Sequence, residues 1–266
     1  MGEDNTRSLG GVRVELEGPG RVAVRRETRE SLAEVRVDDG AHRDCTVATG
    51  LNFFDHMIET IAWNACLNVD VHFSHKRYRL THVITEDVGL TLGRALARLL
   101  EERTPGGING AGSGIMAIDE AIAIALISFE GRANAYYDLA TPGGRHERVE
   151  DMLSADLVAF FDGLAQGARA TIHLRSLQGI DPHHVWESLF RAFGVALRTA
   201  LARNEWRAGL SHPLERFHTG ALQHLHWVDA GRAQCGVDKA HVPAPRSRMS
   251  RHSTCESTLT LALAVT

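Results

Sequence analysis

His82-Val83-Ile84-Thr85-Glu86-Asp87 and His183-His184-Val185-Trp186-Glu187 carry the same cluster in two distant parts of the chain. In each, a His and a Glu stand four residues apart, so on a helix they share one face. An imidazole and a carboxylate converging on one point are half of a transition-metal site. One such pair is ordinarily a surface contact. Two of them, each opening the last helix of a similar unit, point to a duplicated fold that builds a metal centre.

The flanking sequence supports the duplication. In the first half, Val22–Arg26 and Leu32–Val37 roughly alternate apolar and polar residues, as half-buried strands do. Asp38-Asp39-Gly40 is a turn signal. Asn52 to Leu67 has helical spacing, with Asn52 as the expected cap, and Val69–Phe73 alternates again. A long helix is predicted from about His82 to Glu102, ending in Thr104-Pro105-Gly106-Gly107.

The second half repeats the plan. Ala121–Phe129 reads as a buried strand, and Ala133–Tyr137 follows the Glu130-Gly131-Arg132 turn. Helical spacing returns from Met152 to about Gly167, and Thr171–Leu174 is a strand. Asp181-Pro182 then opens a helix to about Arg203, with Asp181 as cap and Pro182 in the first turn. The expected class is α+β, with the unit strand, helix, strand, helix occurring twice, over residues 21–110 and 111–203. Residues 1–20 read as a loose lead-in. Residues 204–266 read as an irregular tail rich in Arg and His, with one strand expected near Leu259–Val265.

Composition narrows the function classes. The chain has 266 residues, is 44% hydrophobic and 23% charged, and carries a net charge of −4. That balance gives no reason to expect nucleic acid as a partner. No apolar run is long enough to span a bilayer. The polar start Met1-Gly2-Glu3-Asp4-Asn5 lacks a signal-peptide pattern, so a cytoplasmic protein is expected. Cys45, Cys66, Cys235 and Cys255 show no CxxC spacing, which argues against a thiolate zinc site and against a disulfide framework. The remaining donors suit manganese, iron or zinc. They are His82 with Glu86, His183 with Glu187, His184 pointing elsewhere, and His56 on the preceding helix. The tail histidines read as solvated.

At these residues the sequence resembles imidazoleglycerol-phosphate dehydratase over about residues 20–203. The similarity runs through Arg26–Glu30, Thr49–Met57 (with Phe54-Asp55-His56-Met57 inside it), Glu86–Gly89, Asp119-Glu120-Ala121, Gly131-Arg132 and His183–Glu187. The resemblance implies a duplicated fold of the ribosomal protein S5 domain 2-like kind, with helices on one face of each sheet. It also implies large homo-oligomers with two manganese ions per active site between subunits. The implied reaction removes water from a small imidazole-bearing glycerol phosphate. A cation pair that binds imidazolate lowers the cost of removing protons and stabilises the electron-rich intermediate, while a carboxylate shuttles protons.

Carried over residue by residue, the resemblance makes His56, His82, Glu86, His183, His184 and Glu187 metal ligands. It makes Glu30, Glu86, Asp119 and Glu187 candidates for catalysis, with Glu120 beside Asp119. Glu30, His56, Arg132 and Arg191 become substrate contacts.

The chain departs from the family pattern at several points. Val83 stands where the first cluster has a second His. Ala159, in Val158-Ala159-Phe160-Phe161, stands where a Glu-His-Phe-Phe element has its His. The expected ligand sets are therefore His82, Glu86 and His184 for one ion, and His56, His183 and Glu187 for the other. Gly110-Ala111-Gly112 replaces an Arg-Phe-Gly element, and Arg191 replaces a Lys. A Ser-Thr-Lys element gives way to Ser211-His212-Pro213-Leu214-Glu215, with Ser253-Thr254-Cys255 as a displaced remnant. Losing charged partners for a dianion weakens phosphate binding. The expectations are thus the dehydratase itself or a paralogous lyase on a related small molecule. A non-catalytic metal-binding member, or another reaction on the same scaffold, follows behind.

Overall fold

Two sheets built on the same plan carry the molecule. The computed structural model describes residues 6–9 and 11–209. The strands are β1 (Thr6–Leu9), β2 (Val12–Gly18), β3 (Arg21–Glu27), β4 (Ser31–Asp38), β5 (Val47–Ala48), β6 (Asn68–His75), β7 (Ala111–Ile118), β8 (Ala121–Ser128), β9 (Asn134–Asp138), β10 (Arg148–Val149), β11 (Met152–Leu153) and β12 (Thr171–Gln178). The helices are α1 (Asn52–Ala65), α2 (Thr81–Arg103), α3 (Ser154–Ala168) and α4 (Pro182–Leu201).

The first sheet runs β1-β2-β3-β4-β6-β5 and the second β7-β8-β12-β9. Within each, two antiparallel neighbours lead to a strand that is antiparallel to one side and parallel to the other: β4-β6-β5 and β8-β12-β9. The duplication expected from the two clusters is therefore visible as a repeated topology.

Alternation decides which face is covered. In β4, Ser31, Ala33, Val35 and Val37 point inward, and in β8, Ala121, Ala123, Ala125 and Ile127 do so. Helix α2 packs on β3 and β4, and α4 packs on β7 and β8. The halves then cross-pack, α2 against α3 and α1 against α4, around one continuous core.

Several elements differ from expectation. The lead-in contributes β1 and β2, because Val12 and Val14 alternate with Arg13 and Glu15 and extend the sheet beyond β3. The 121–129 run is not buried on both sides: Leu126 is exposed, and Ile122 and Ile124 are half-buried. Strand β7 hides behind its glycines. A Cβ on Gly112 would lie 2.2 Å from the Ala196 carbonyl, and one on Gly114 equally close to that of Ala192, so only glycine lets α4 lie this near. Asn52 does not cap α1; the cap position is Leu51, without a side-chain bond. At the tail's start, Asn204 bonds back to Gly107 and Asn109. The expected terminal strand, the tail histidines and both serine-containing remnants lie outside the described residues.

Candidate metal centre

Helix α4 starts where the sequence says it should. The Asp181 carboxylate accepts the His183 backbone N–H at 2.8 Å, and Pro182 occupies the first helical position. Trp186 is fully buried, and its Nε1 donates to Ser154 Oγ at 3.2 Å, so the first turn of α4 is fastened to the start of α3. With that turn fixed, His183 and Glu187 project along one side of the helix.

Helix α1, packed against α4, brings His56 to the same place. His183 Nε2 lies 3.2 Å and His56 Nε2 3.5 Å from Glu187 Oε2. One donor atom from each of the three residues falls within 4.8 Å of the other two. Donors about 2.1 Å from a shared cation lie roughly 3.0–3.5 Å apart, so the trio fits a first-row divalent ion. Glu187 Oε1 is held separately, accepting from Arg191 Nε at 2.9 Å and from a terminal nitrogen at 2.6 Å. Burial alone would push the Glu187 carboxyl up. The Arg191 guanidinium and the His56 imidazole outweigh it and hold the group charged below its ordinary range. Arg191, expected to touch substrate, is in this structure the anchor of that carboxylate.

His184 faces away from the trio, as its neighbouring helical position requires. Its Nδ1 lies 2.7 Å from Glu120 Oε2 and its Nε2 3.3 Å from Asp119 Oδ2. Both acids sit in the β7–β8 turn, where Asp119 has φ of +46°. Glu120 Oε1 also accepts the backbone N–H groups of Ile180 and Asp181. Those amide bonds, Asp181 foremost, together with His184, hold Glu120 at about 2, and Glu120 in turn raises His184 above its ordinary 6.5. The lowered acid contributes above about pH 4.5 and is lost as pH falls toward 2. The raised imidazolium contributes fully below 6.5 and is lost as pH rises through its folded value. Glu120→Gln is expected to return His184 toward 6.5, which a titration of its imidazole NMR signals will show; an unchanged His184 midpoint would refute the pairing.

The other expected residues do not join the trio within one protomer. His82 Nε2 lies 3.6 Å from Glu86 Oε2 at the start of α2, with His82 exposed and Glu86 half-buried. Among the described residues, His56, His183 and Glu187 are the only group of three or more such donors that gathers this closely, so His82, Glu86 and His184 do not meet. Glu30 sits in the β3–β4 turn, where its N–H donates to Thr28 Oγ1. Arg132 follows β8 at the end away from Asp119 and Glu120, roughly 25 Å of strand from them.

The reason only one trio forms is legible in the duplicated geometry. Helices α1 and α3 end alike, at left-handed residues Cys66 and Arg169, and the next N–H returns to Ala62 and Ala165 respectively. Counting back ten residues from each cap gives His56 and Ala159. Helix α2 likewise matches α4, His82 with His183 and Glu86 with Glu187. So the equivalent place between α3 and α2 holds Ala159, His82 and Glu86, with alanine where the third donor would be.

The chain from 49 to 197 matches the family model of imidazoleglycerol-phosphate dehydratase. The chain belongs to the imidazoleglycerol-phosphate dehydratase family. It is 34% identical over 188 residues to the imidazoleglycerol-phosphate dehydratase of Methylococcus capsulatus, covering 70% of this chain and 92% of that protein. It is 36% identical over 185 residues to that of Burkholderia mallei, covering 69% and 92%. The crystal structure of the Pyrococcus furiosus enzyme superposes with a TM-score of 0.58 at 30% identity, over 68% of this chain and 94% of that one. The Staphylococcus aureus enzyme shares the fold at a TM-score of 0.57 and 22% identity, over 65% and 95%. The duplicated α+β architecture is the family's, and the chain is a hydro-lyase of histidine biosynthesis.

Two residues at this site carry no sequence signal that announces them. Glu150 Oε1 lies 2.9 Å from His183 Nδ1, and Asp151 accepts the N–H groups of Asn52 and Phe53, capping α1 from the other half. Their Val149-Glu150-Asp151-Met152 context has no Gly or Asn to announce the two-residue turn they form.

Proposed function

We propose that His56, His183 and Glu187 hold a first-row divalent cation, manganese being the expected one, with which this chain dehydrates an imidazole-bearing glycerol phosphate. The convergence of two imidazoles on one buried, charged carboxylate carries this reading. When bound, the cation supplies a positive centre that lowers the cost of deprotonating the imidazole and stabilises the charge that develops. The chain's own groups do the rest. Arg191 keeps Glu187 ionised and aims one oxygen away, leaving Oε2 for the cation. His56 binds the cation on one side and, being half-exposed, presents its other side to substrate. Glu30, Glu86 and Asp119 are the remaining proton carriers.

The second place, at His82 and Glu86, has two donors and needs a third from outside its own protomer. His184 of a neighbouring copy is the donor we assign to it. Arg132, too far along β8 to reach the trio of its own chain, would likewise serve a neighbour's substrate. Assembly is further supported by the outer face of the second sheet, where Ile115, Leu126 and Tyr136 are exposed beside Ile122 and Ile124. No helix among the described residues is long and apolar enough to cross a membrane, and a cytoplasmic setting suits a biosynthetic enzyme.

A lyase acting on an imidazole substrate without the phosphate is favoured by one observation: the cation nearest the trio, Arg191, is already committed to Glu187. Complementation of a histidine auxotroph lacking the dehydratase separates the two. Growth is expected. Failure of soluble, manganese-loaded protein to restore it would establish the altered substrate, and absence of any first-row metal from the purified protein would overturn both.

A further inference from the structure

The short hairpin β10–β11 reaches the metal centre with its tip. Val149 pairs with Met152, so Glu150 and Asp151 are the two turn residues. Asp151 holds the first turn of α1, the helix that carries His56. Glu150 places its carboxylate on Nδ1 of His183, at 2.9 Å. One turn therefore touches both imidazole-bearing helices.

We infer that Glu150 is a positioning residue for the cation site, fixing the tautomer and ring orientation of His183. A neutral imidazole has one N–H donor and one lone pair. A carboxylate on Nδ1 selects the tautomer with the proton there and leaves the lone pair on Nε2. Nε2 is the nitrogen that faces Glu187, 3.2 Å away. The ring is further confined by Phe53, whose centroid lies 5.1 Å from its own. A carboxylate of this kind behind a ligating histidine both orients the ring and raises its basicity.

The backbone gives a second, independent sign. Glu150 has φ of +49°, in the left-handed region that glycine occupies at no steric cost. A side chain is kept there against that strain. Such residues persist where their surroundings over-determine them, and they cluster at functional sites. Here the retained side chain is the one bonded to His183.

The inference rests on the trio being a cation site, and its test separates the two. Glu150→Gly removes the carboxylate and also relieves the backbone, so affinity and stability are expected to move in opposite directions. Mn²⁺ alone is titrated calorimetrically into the full-length, metal-free wild type, E150G, E150Q and H56A, and each metal-free protein is melted. E150G is expected to bind Mn²⁺ about 10–100-fold more weakly, with a melting temperature no lower than the wild type's. E150Q, whose amide oxygen still accepts from Nδ1–H, is expected to recover most of the loss. Binding by E150G within about twofold of wild type, or weakened only in step with a fall in melting temperature, overturns the role of Glu150 alone. A wild type that takes up no Mn²⁺, or an H56A protein that binds as well as wild type, overturns the site itself.

Discussion

On the proposed function, replacing Glu187 with glutamine is expected to abolish cation binding at the trio and to cut dehydratase turnover by on the order of 10²-fold or more. Loss of an outer hydrogen-bonding partner already costs roughly 10–100-fold in metal affinity, and Glu187 is the hub itself. Its Oε2 faces both imidazoles and its Oε1 binds Arg191. Glutamine keeps the volume but removes the charge, leaving two neutral ligands and an unneutralised guanidinium. Because position 187 is only 5% exposed, the lost counter-charge of Arg191 is poorly replaced there by water, even though the glutamine oxygen can still accept its N–H. Elemental analysis after dialysis and steady-state kinetics on the folded variant test this. A Glu187→Gln protein that retains wild-type metal content would remove Glu187 from the site.

The second large effect lies between α2 and α3. Gly89→Ala is expected to lower stability by about 3 kcal/mol, near the upper end for overpacking, and the melting temperature by about 10 °C. The two helices meet through glycines from both sides. A Cβ on Gly89 would sit 2.2 Å from the Phe160 carbonyl, on Gly93 2.3 Å from that of Leu164, and on Gly163 2.5 Å from that of Glu86. These neighbours are backbone atoms, so only separation of the helices relieves the clash. The sign is diagnostic. At an exposed helical site the same change gains up to about 1 kcal/mol from helix propensity. Thermal melts decide it, and a Gly89→Ala protein as stable as wild type would refute the close approach.

The fold was legible wherever local chemistry and hydrophobic period agreed. Asp181-Pro182 announces α4, and the matching His–Glu spacings announce the duplication. Strand β2 is also readable, since Val12 and Val14 alternate with charged residues, although glycines flank the run. Strand β7 was not, because Gly112 and Gly114 are dictated by α4, some 80 residues away in sequence. The trio was half legible. His183 with Glu187 follows from helix geometry, but the arrival of His56 depends on α1 packing against α4, which no local pattern encodes. Glu150 was invisible for the same reason: its meaning lies in a turn whose left-handed position is taken by glutamate, not by Gly or Asn. The Asp119-Glu120 pair was found, yet the stabilising bonds from Glu120 to the amides of Ile180 and Asp181 are a tertiary matter.

The matching caps of α1 and α3 have a practical consequence. Each molecule presents the same helical frame twice, once with histidine at position 56 and once with alanine at 159. Comparing ion uptake at the two frames sets donors gathered within one protomer against donors that a neighbour must complete, with temperature, buffer and folding history shared. Supplying the missing imidazole by one substitution, Ala159→His, would give the second frame the same three donor types as the first.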